Sequence, residues 1–214
     1  HKEGVTTTVS MTRTVDQSLS SQACWVRTTL LVNGKPDASL SVAHRRPTEG
    51  CAGLLKKLPP GGAMHFSPSG DAETQLLTVM LPVVLHPDAS TMKRALVIGW
   101  GSGITVGALL QSGIQRVVAV ELEGEVVKAA RLFEPHNHQP QLNPRVQVVN
   151  ADGRNHLASD PATYDVIASE PSNPWMAGCG NLFTREFFRL VRSRLNKGGV
   201  YLQWLQAYEI APNN

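Results

Sequence analysis

Arg94-Ala95-Leu96-Val97-Ile98-Gly99-Trp100-Gly101-Ser102-Gly103-Ile104-Thr105-Val106-Gly107 decides the fold. The apolar run Ala95-Leu96-Val97-Ile98 reads as a strand, and the glycines after it as a tight turn into a helix. Such a turn lets a ligand approach the backbone, with the amides of the next helix's first turn facing it. The glycines fall at 99, 101 and 103, and Ile104 stands where the dinucleotide fingerprint G-x-G-x-x-G needs glycine. A nucleoside-sulfonium ligand is therefore expected in place of NAD.

Downstream, strands alternate with helices, the mark of a parallel sheet with crossover helices. Arg116-Val117-Val118-Ala119-Val120, Val146-Gln147-Val148-Val149, Tyr164-Asp165-Val166-Ile167-Ala168 and Gly199-Val200-Tyr201-Leu202-Gln203 are the further strands. Residues 123–133 and 184–195 are two of the helices. Five β/α units in order predict a doubly wound sheet with helices on both faces.

Upstream, Val5-Thr6-Thr7-Thr8-Val9-Ser10-Met11, Trp25-Val26-Arg27-Thr28-Thr29-Leu30-Leu31-Val32 and Ala38-Ser39-Leu40-Ser41-Val42 alternate as strands do, with the hairpin dipeptide Asn33-Gly34 between the last two. They predict a small antiparallel sheet. Residues 46–70, rich in Pro and Gly, read as a long loop. Asp71 is expected to cap a helix carrying Leu76, Leu77, Met80 and Leu81, which ends near Pro82 or His86-Pro87. The chain divides, on this reading, into a β-hairpin domain over 1–70 and a nucleoside-binding domain over 71–214.

Composition narrows the classes. With 42% hydrophobic and 17% charged residues the chain reads as an ordinary soluble protein, and a net charge of +3 spread along it gives no nucleic-acid footprint. Cys24, Cys51 and Cys179 are far apart and odd in number, which speaks against a zinc site or a disulfide framework and for a reducing compartment. No apolar run is long enough to cross a bilayer. The start on His1 points to a domain cut from a longer protein or to a cleaved tag. His136 and His138 read as part of a solvated loop, so no metal is expected.

The chemistry-bearing residues fall at the carboxyl ends of the predicted strands, where open α/β sheets bind ligands. Glu121 ends the second strand and is placed to accept both ribose hydroxyls, beside Leu122. Asp152-Gly153 follows the third, where Asp152 reads either as an adenine contact or as a helix cap. Ser169-Glu170-Pro171-Ser172-Asn173-Pro174-Trp175 follows the fourth, and Glu170 is the candidate general base. Trp175 and Met176 read as a lid on the adenosyl group or as core.

These residues resemble the spermidine synthase-like polyamine aminopropyltransferases. The likeness runs from Glu3-Gly4 and its Thr/Val strand through Leu31-Val32-Asn33-Gly34, Gln75 ahead of Leu81-Pro82 and His86-Pro87, the glycine turn, Glu121, Asp152-Gly153 and Tyr164-Asp165-Val166-Ile167. It ends on Asn181-Leu182-Phe183-Thr184-Arg185-Glu186-Phe187-Phe188. The resemblance implies a Rossmann-like S-adenosylmethionine-dependent transferase fold behind a small N-terminal antiparallel β domain. It implies decarboxylated S-adenosylmethionine as co-substrate, a polyamine or other amine as acceptor, 5'-methylthioadenosine as product and a homodimer. By resemblance, Gly99, Gly101, Ser102, Gly103, Glu121, Leu122, Asp152 and Gly153 hold the nucleoside and Glu170 takes the amine's proton. Gln75, Ser172, Asn173, Gln203 and Tyr208 line the substrate side.

Three departures shape the expected reaction. Ser102 and Asn173 stand where the family usually has aspartate, and Thr74 where it has tyrosine, so a diammonium substrate loses two carboxylates. Intramolecular cyclisation is then a second route to the same product. The Ser-Glu-Pro-Ser-Asn-Pro-Trp form resembles a prokaryotic branch often joined to membrane helices, which implies a cytoplasmic domain of a membrane protein. Because the chain stops at Asn214, just after the fifth strand, the last two strands of the family's seven-stranded sheet are expected to be missing or replaced. An S-adenosylmethionine-dependent methyltransferase and a non-catalytic nucleoside sensor remain as alternatives.

Overall fold

Alternation along the chain builds the first sheet. In the computed structural model, which describes residues 8–17, 23–45, 51, 71–134, 136–172 and 178–205, β1 (Val9–Gln17), β2 (Ala23–Val32) and β3 (Lys35–Arg45) pair antiparallel in that order. Cys24, Val26, Thr28, Leu30 and Val32, two apart, are buried along β2, and Ala38, Leu40 and Val42 along β3. At the hairpin Asn33 and Gly34 take φ of 52° and 76°, the left-handed pair that a two-residue turn between twisted strands requires. β1 runs six residues past its expected end at Met11, and β3 extends beyond 38–42 on both sides.

One expectation fails here. Cys24 and Cys51, both buried, form a disulfide with their Cα atoms 5.6 Å apart. A separation of 27 positions follows no spacing rule, so the pairing was not visible locally. The argument from cysteine usage for a reducing compartment falls with it, because disulfides persist in oxidising surroundings.

The second sheet has five parallel strands, β4 (Arg94–Ile98), β5 (Arg116–Glu121), β6 (Val146–Asn150), β7 (Tyr164–Ser169) and β8 (Leu195–Gln203), in the order β6-β5-β4-β7-β8. Central β4 is buried on both faces, hence its unbroken apolar run. Order reverses at β4, and that switch point is where doubly wound sheets bind ligands. The helices are α1 (Asp71–Leu85), α2 (Ile104–Gln111), α3 (Gly124–Ala129), α4 (Gly153–Ser159) and α5 (Arg185–Arg194). Leu96, Ile98, Val118, Val120 and Ile167 pack one face of the sheet against Leu157 of α4 and Phe187 and Val191 of α5.

Two compact units emerge, interleaved along the chain. Residues 1–77, 101–108 and 123–143 make the first; residues 78–100, 109–122 and 144–214, with the whole parallel sheet, make the second. No described helix is long and apolar enough to cross a membrane. Two local expectations are corrected. Asp71 is the first residue of α1 and not its cap, and it accepts a hydrogen bond from Ser39 Oγ at 2.8 Å. α1 runs through Pro82 and ends at Leu85, beside His86-Pro87, the second of its two expected ends. β8 starts at Leu195, four residues before the expected Gly199.

Candidate active site

In the second unit, the carboxyl ends of the strands are drawn together by backbone bonds. Gly99 N donates to Val120 O at 2.9 Å, Glu170 N to Ile98 O at 2.8 Å and Trp204 N to Ser169 O at 2.8 Å. Gly99 takes φ +97°, and a Cβ there would sit 2.5 Å from the carbonyl oxygen of Glu170. Only glycine allows the turn to press so closely on the residue that follows β7. Glu170 is thereby set at the switch point.

Glu121 is fastened to the turn itself: its Oε2 accepts the Trp100 N–H at 2.8 Å. The bidentate role expected for this carboxylate thus shares one oxygen with the backbone. Asn150, absent from the sequence reading, steadies the same corner by donating to Glu121 O at 2.9 Å and Leu122 O at 2.8 Å. Leu122 is 45% exposed. Asp152 caps α4, accepting from Asn155 N at 2.8 Å, so the structure exhibits the capping alternative directly. Gly153 opens α4 against Ile98, where a Cβ would meet Cγ2 at 2.4 Å. Trp100 is buried and its Nε1 has no hydrogen-bond partner among the described residues, an unfilled donor in the turn.

At the end of β8, Gln203 pairs in register with Ser169 and donates from Nε2 to Trp204 O at 3.0 Å, while Tyr201 Oη donates to its Oε1. Burial pushes the Tyr201 hydroxyl up to about 12, against the pull of the Ser169 hydroxyl, so it remains a proton donor at neutral pH. Ser172 lies two residues beyond Glu170 and is partly buried. Asn173, Trp175, Met176 and Tyr208 fall outside the described residues.

In the first unit the remaining part of the turn is held by neutral groups. Ser102 is fully buried; its hydroxyl donates to Gln75 Oε1 and accepts the Ile104 N–H at 3.2 Å. Thr105 Oγ1 donates to Gln75 O at 3.4 Å. Asn137, also fully buried, donates from Nδ2 to Ser102 O and Ala130 O, each at 3.0 Å. The structure therefore brings Gln75 to the glycine turn. It also adds Asn137, which sequence reasoning passed over inside a polar loop between two histidines.

Sheet order, switch point and glycine turn together define a Rossmann-like α/β protein of the S-adenosylmethionine-dependent transferase fold. A spermidine synthase bound to the transition-state analogue AdoDATO shares that fold, with a TM-score of 0.62 at 20% identity over 89% of this chain and 56% of that one. The model of the spermine/spermidine synthase domain matches residues 72–211, and the chain belongs to that family.

A polyamine aminopropyltransferase of Synechococcus sp. (strain JA-3-3Ab) is 39% identical over 113 residues, 51% of this chain and 36% of that protein. Putrescine N-methyltransferase 1 of Nicotiana tabacum is 31% identical over 173 residues, 80% of this chain and 44% of that protein. This chain thus spans less than half the length of these curated relatives.

Proposed function

We propose that this chain carries the sulfonium-binding and catalytic part of an aminopropyltransferase-like enzyme. It takes decarboxylated S-adenosylmethionine, or S-adenosylmethionine, and breaks the bond from sulfur to the aminoalkyl carbon. The attacking amine is an external polyamine or the substrate's own amino group. Glu170 accepts the amine's proton, nitrogen bonds to the carbon beside sulfur, and the carbon–sulfur pair stays on sulfur as 5'-methylthioadenosine leaves. The sulfonium already activates that carbon, so holding nucleophile and carbon in line supplies much of the acceleration.

The observation that carries this reading is the contact of Gly99 with the backbone of Glu170, beside the Glu121 carboxylate bonded to the turn. It supports the base role of Glu170, because doubly wound sheets bind their ligands at this switch point. With the proposal go the nucleoside roles of Gly101, Ser102, Gly103, Leu122, Asp152 and Gly153, the substrate roles of Gln75, Ser172, Asn173, Gln203 and Tyr208, and the division at residue 70. So do a homodimer and a place in a membrane-fused protein. The cytoplasmic location implied by the resemblance has the disulfide against it.

Incubation with each sulfonium substrate, with and without putrescine, is expected to release 5'-methylthioadenosine. Glu170→Gln is expected to cut that release by about 10²–10⁴-fold, the usual weight of a positioned base, while sulfonium binding persists. No 5'-methylthioadenosine in any mixture sinks the proposal. The Nicotiana tabacum relative supports a second reading, methyl transfer, for which S-adenosylhomocysteine is the diagnostic product.

A further inference from the structure

The amino end of the parallel sheet, remote in the topology from Glu121 and Glu170, holds a second gathering of polar groups. β4 opens on Arg94 and β5 on Arg116, side by side in register, and Gln147 of β6 stands beside Val118. Period-two alternation puts Arg94, Arg116, Val118 and Gln147 on the face that carries Leu96 and Val120, the face covered by α4. Arg94, Val118, Gln147, His156, Ser159 and Asp160 line a cavity of about 330 Å³ there. That volume is at the lower end of the roughly 300–1,000 Å³ of small-molecule pockets.

We infer that this cavity is a binding site for a small oxyanion, a phosphate or carboxylate group. Every carboxylate and amide oxygen of the lining already accepts a bond, and the Ser159 hydroxyl donates to His156 O at 3.1 Å. Asp160 Oδ1 accepts the Ala162 N–H at 2.9 Å, Asp160 Oδ2 accepts the Tyr164 hydroxyl, and Gln147 Oε1 accepts Arg116 Nη2 at 2.8 Å. Arg94 Nε is buried with no hydrogen-bond partner among the described residues, while His156 Nε2, also without a hydrogen bond, faces Asp160 Oδ2 at the ion-pair distance of 3.6 Å. The bond from Arg116 orients the Gln147 amide, whose two N–H donors are then offered beside Arg94.

Charge agrees with the donor count. The guanidinium of Arg94, stacked 5.0 Å from the Tyr164 ring centroid, and that of Arg116 outweigh the single carboxylate of Asp160. A phosphate or carboxylate supplies an acceptor for the buried Arg94 Nε–H and for the Gln147 amide; a cation or an apolar ligand does not.

The test is thermal unfolding of the whole chain in sodium phosphate and in sodium malonate, each against sodium chloride at equal ionic strength. A saturable rise in Tm is expected with at least one of the two and not with chloride; phosphate alone marks a phosphoryl ligand, malonate alone a carboxylate. Gln147→Glu, which sets a carboxylate into the lining from an exposed strand position, is expected to weaken the response at least about tenfold. Arg116→Gln, also exposed, is expected to weaken it less, and Glu125→Gln on α3 to leave it unchanged. A response to chloride equal to the others, or one that neither Gln147→Glu nor Arg116→Gln diminishes, overturns the site.

Discussion

At their carboxyl ends the parallel strands run out into Glu121, Asp152 and Glu170, whereas at their amino ends they open on Arg94, Arg116 and, just before β6, Arg145. The two ends are also fastened differently. Backbone bonds tie the carboxyl end, from Gly99 to Val120, Glu170 to Ile98, Ala151 to Glu121 and Trp204 to Ser169. Side chains tie the amino end: Asp165 accepts Lys93 N at 2.7 Å, Arg94 N at 2.9 Å and Asn196 Nδ2 at 2.7 Å, and Arg145 donates to Ile114 O and Leu110 O. Side chains join in at the carboxyl end too, Glu121 through Trp100 N and Asn150 through two carbonyls, but Glu170 is positioned there by main-chain bonds, whereas at the amino end substituting the tying side chains costs the fold.

The largest expected effect comes from attacking the backbone contact at the carboxyl end. Gly99→Ala combines a φ of +97° with a Cβ 2.5 Å from a carbonyl oxygen, and Glu170 is held by its own bond to Ile98. A loss of about 3 kcal/mol or more in urea unfolding is expected, strain and overlap together. Gly113→Ala isolates the strain: φ is +93° and nothing lies within 4 Å of the added carbon. If the two variants lose equal stability, the close approach of turn and Glu170 contributes nothing.

How much was legible follows the same division. The parallel strands showed themselves because Val117-Val118-Ala119-Val120 and Val166-Ile167-Ala168 are buried on both faces and read as apolar runs. Thr184 announced α5, whose Phe187 N–H it accepts at 3.2 Å. The start of β8 was hidden: Leu195 read as the end of a helix and the strand was expected only from Gly199, while what anchors the segment is the bond from Asn196 to Asp165, 31 residues back. The Cys24–Cys51 disulfide and the Asn137 amide were hidden for the same reason, since each depends on a partner that folding brings near. In the site, the carboxylates were found by their place after strands, but not that Glu121 also holds Trp100 N, nor that Asn150 braces it.

At the amino end the intermediate effect is expected from Asp165. Burial alone would raise its pKa, but the Arg94 N–H, the Asn196 amide, the Lys93 N–H and the charge of His86 together hold it below its ordinary 3.8. A lowered carboxylate supplies stability that is complete above the unfolded value and is lost as pH falls through the folded one. Stability measured downward from pH 6 is therefore expected to hold until about pH 4 and to fall below it, with part of the fall absent in Asp165→Asn. At pH 7 that variant is expected to lose about 2 kcal/mol through weakened bonds to three partners. An Asp165→Asn protein with unchanged stability would mean that this end, too, is fastened by its main chain.

The smallest effect tests the residue that belongs to both regimes. Asp152 stands among the carboxylates of the ligand-binding end yet does structural work, accepting the Asn155 N–H as cap of α4. Loss of a cap costs about 1 kcal/mol when alanine replaces it and little when asparagine does, because the amide oxygen accepts the same bond. The two roles then separate. Asp152→Ala is expected to lose about 1 kcal/mol and Asp152→Asn a few tenths in urea unfolding. If Asp152 also accepts from an adenine amino group, both variants weaken sulfonium binding, and Asp152→Asn does so at nearly full stability. Equal binding by wild type and Asp152→Asn would leave the cap as its whole function and return adenine recognition to the turn and the Glu121 corner.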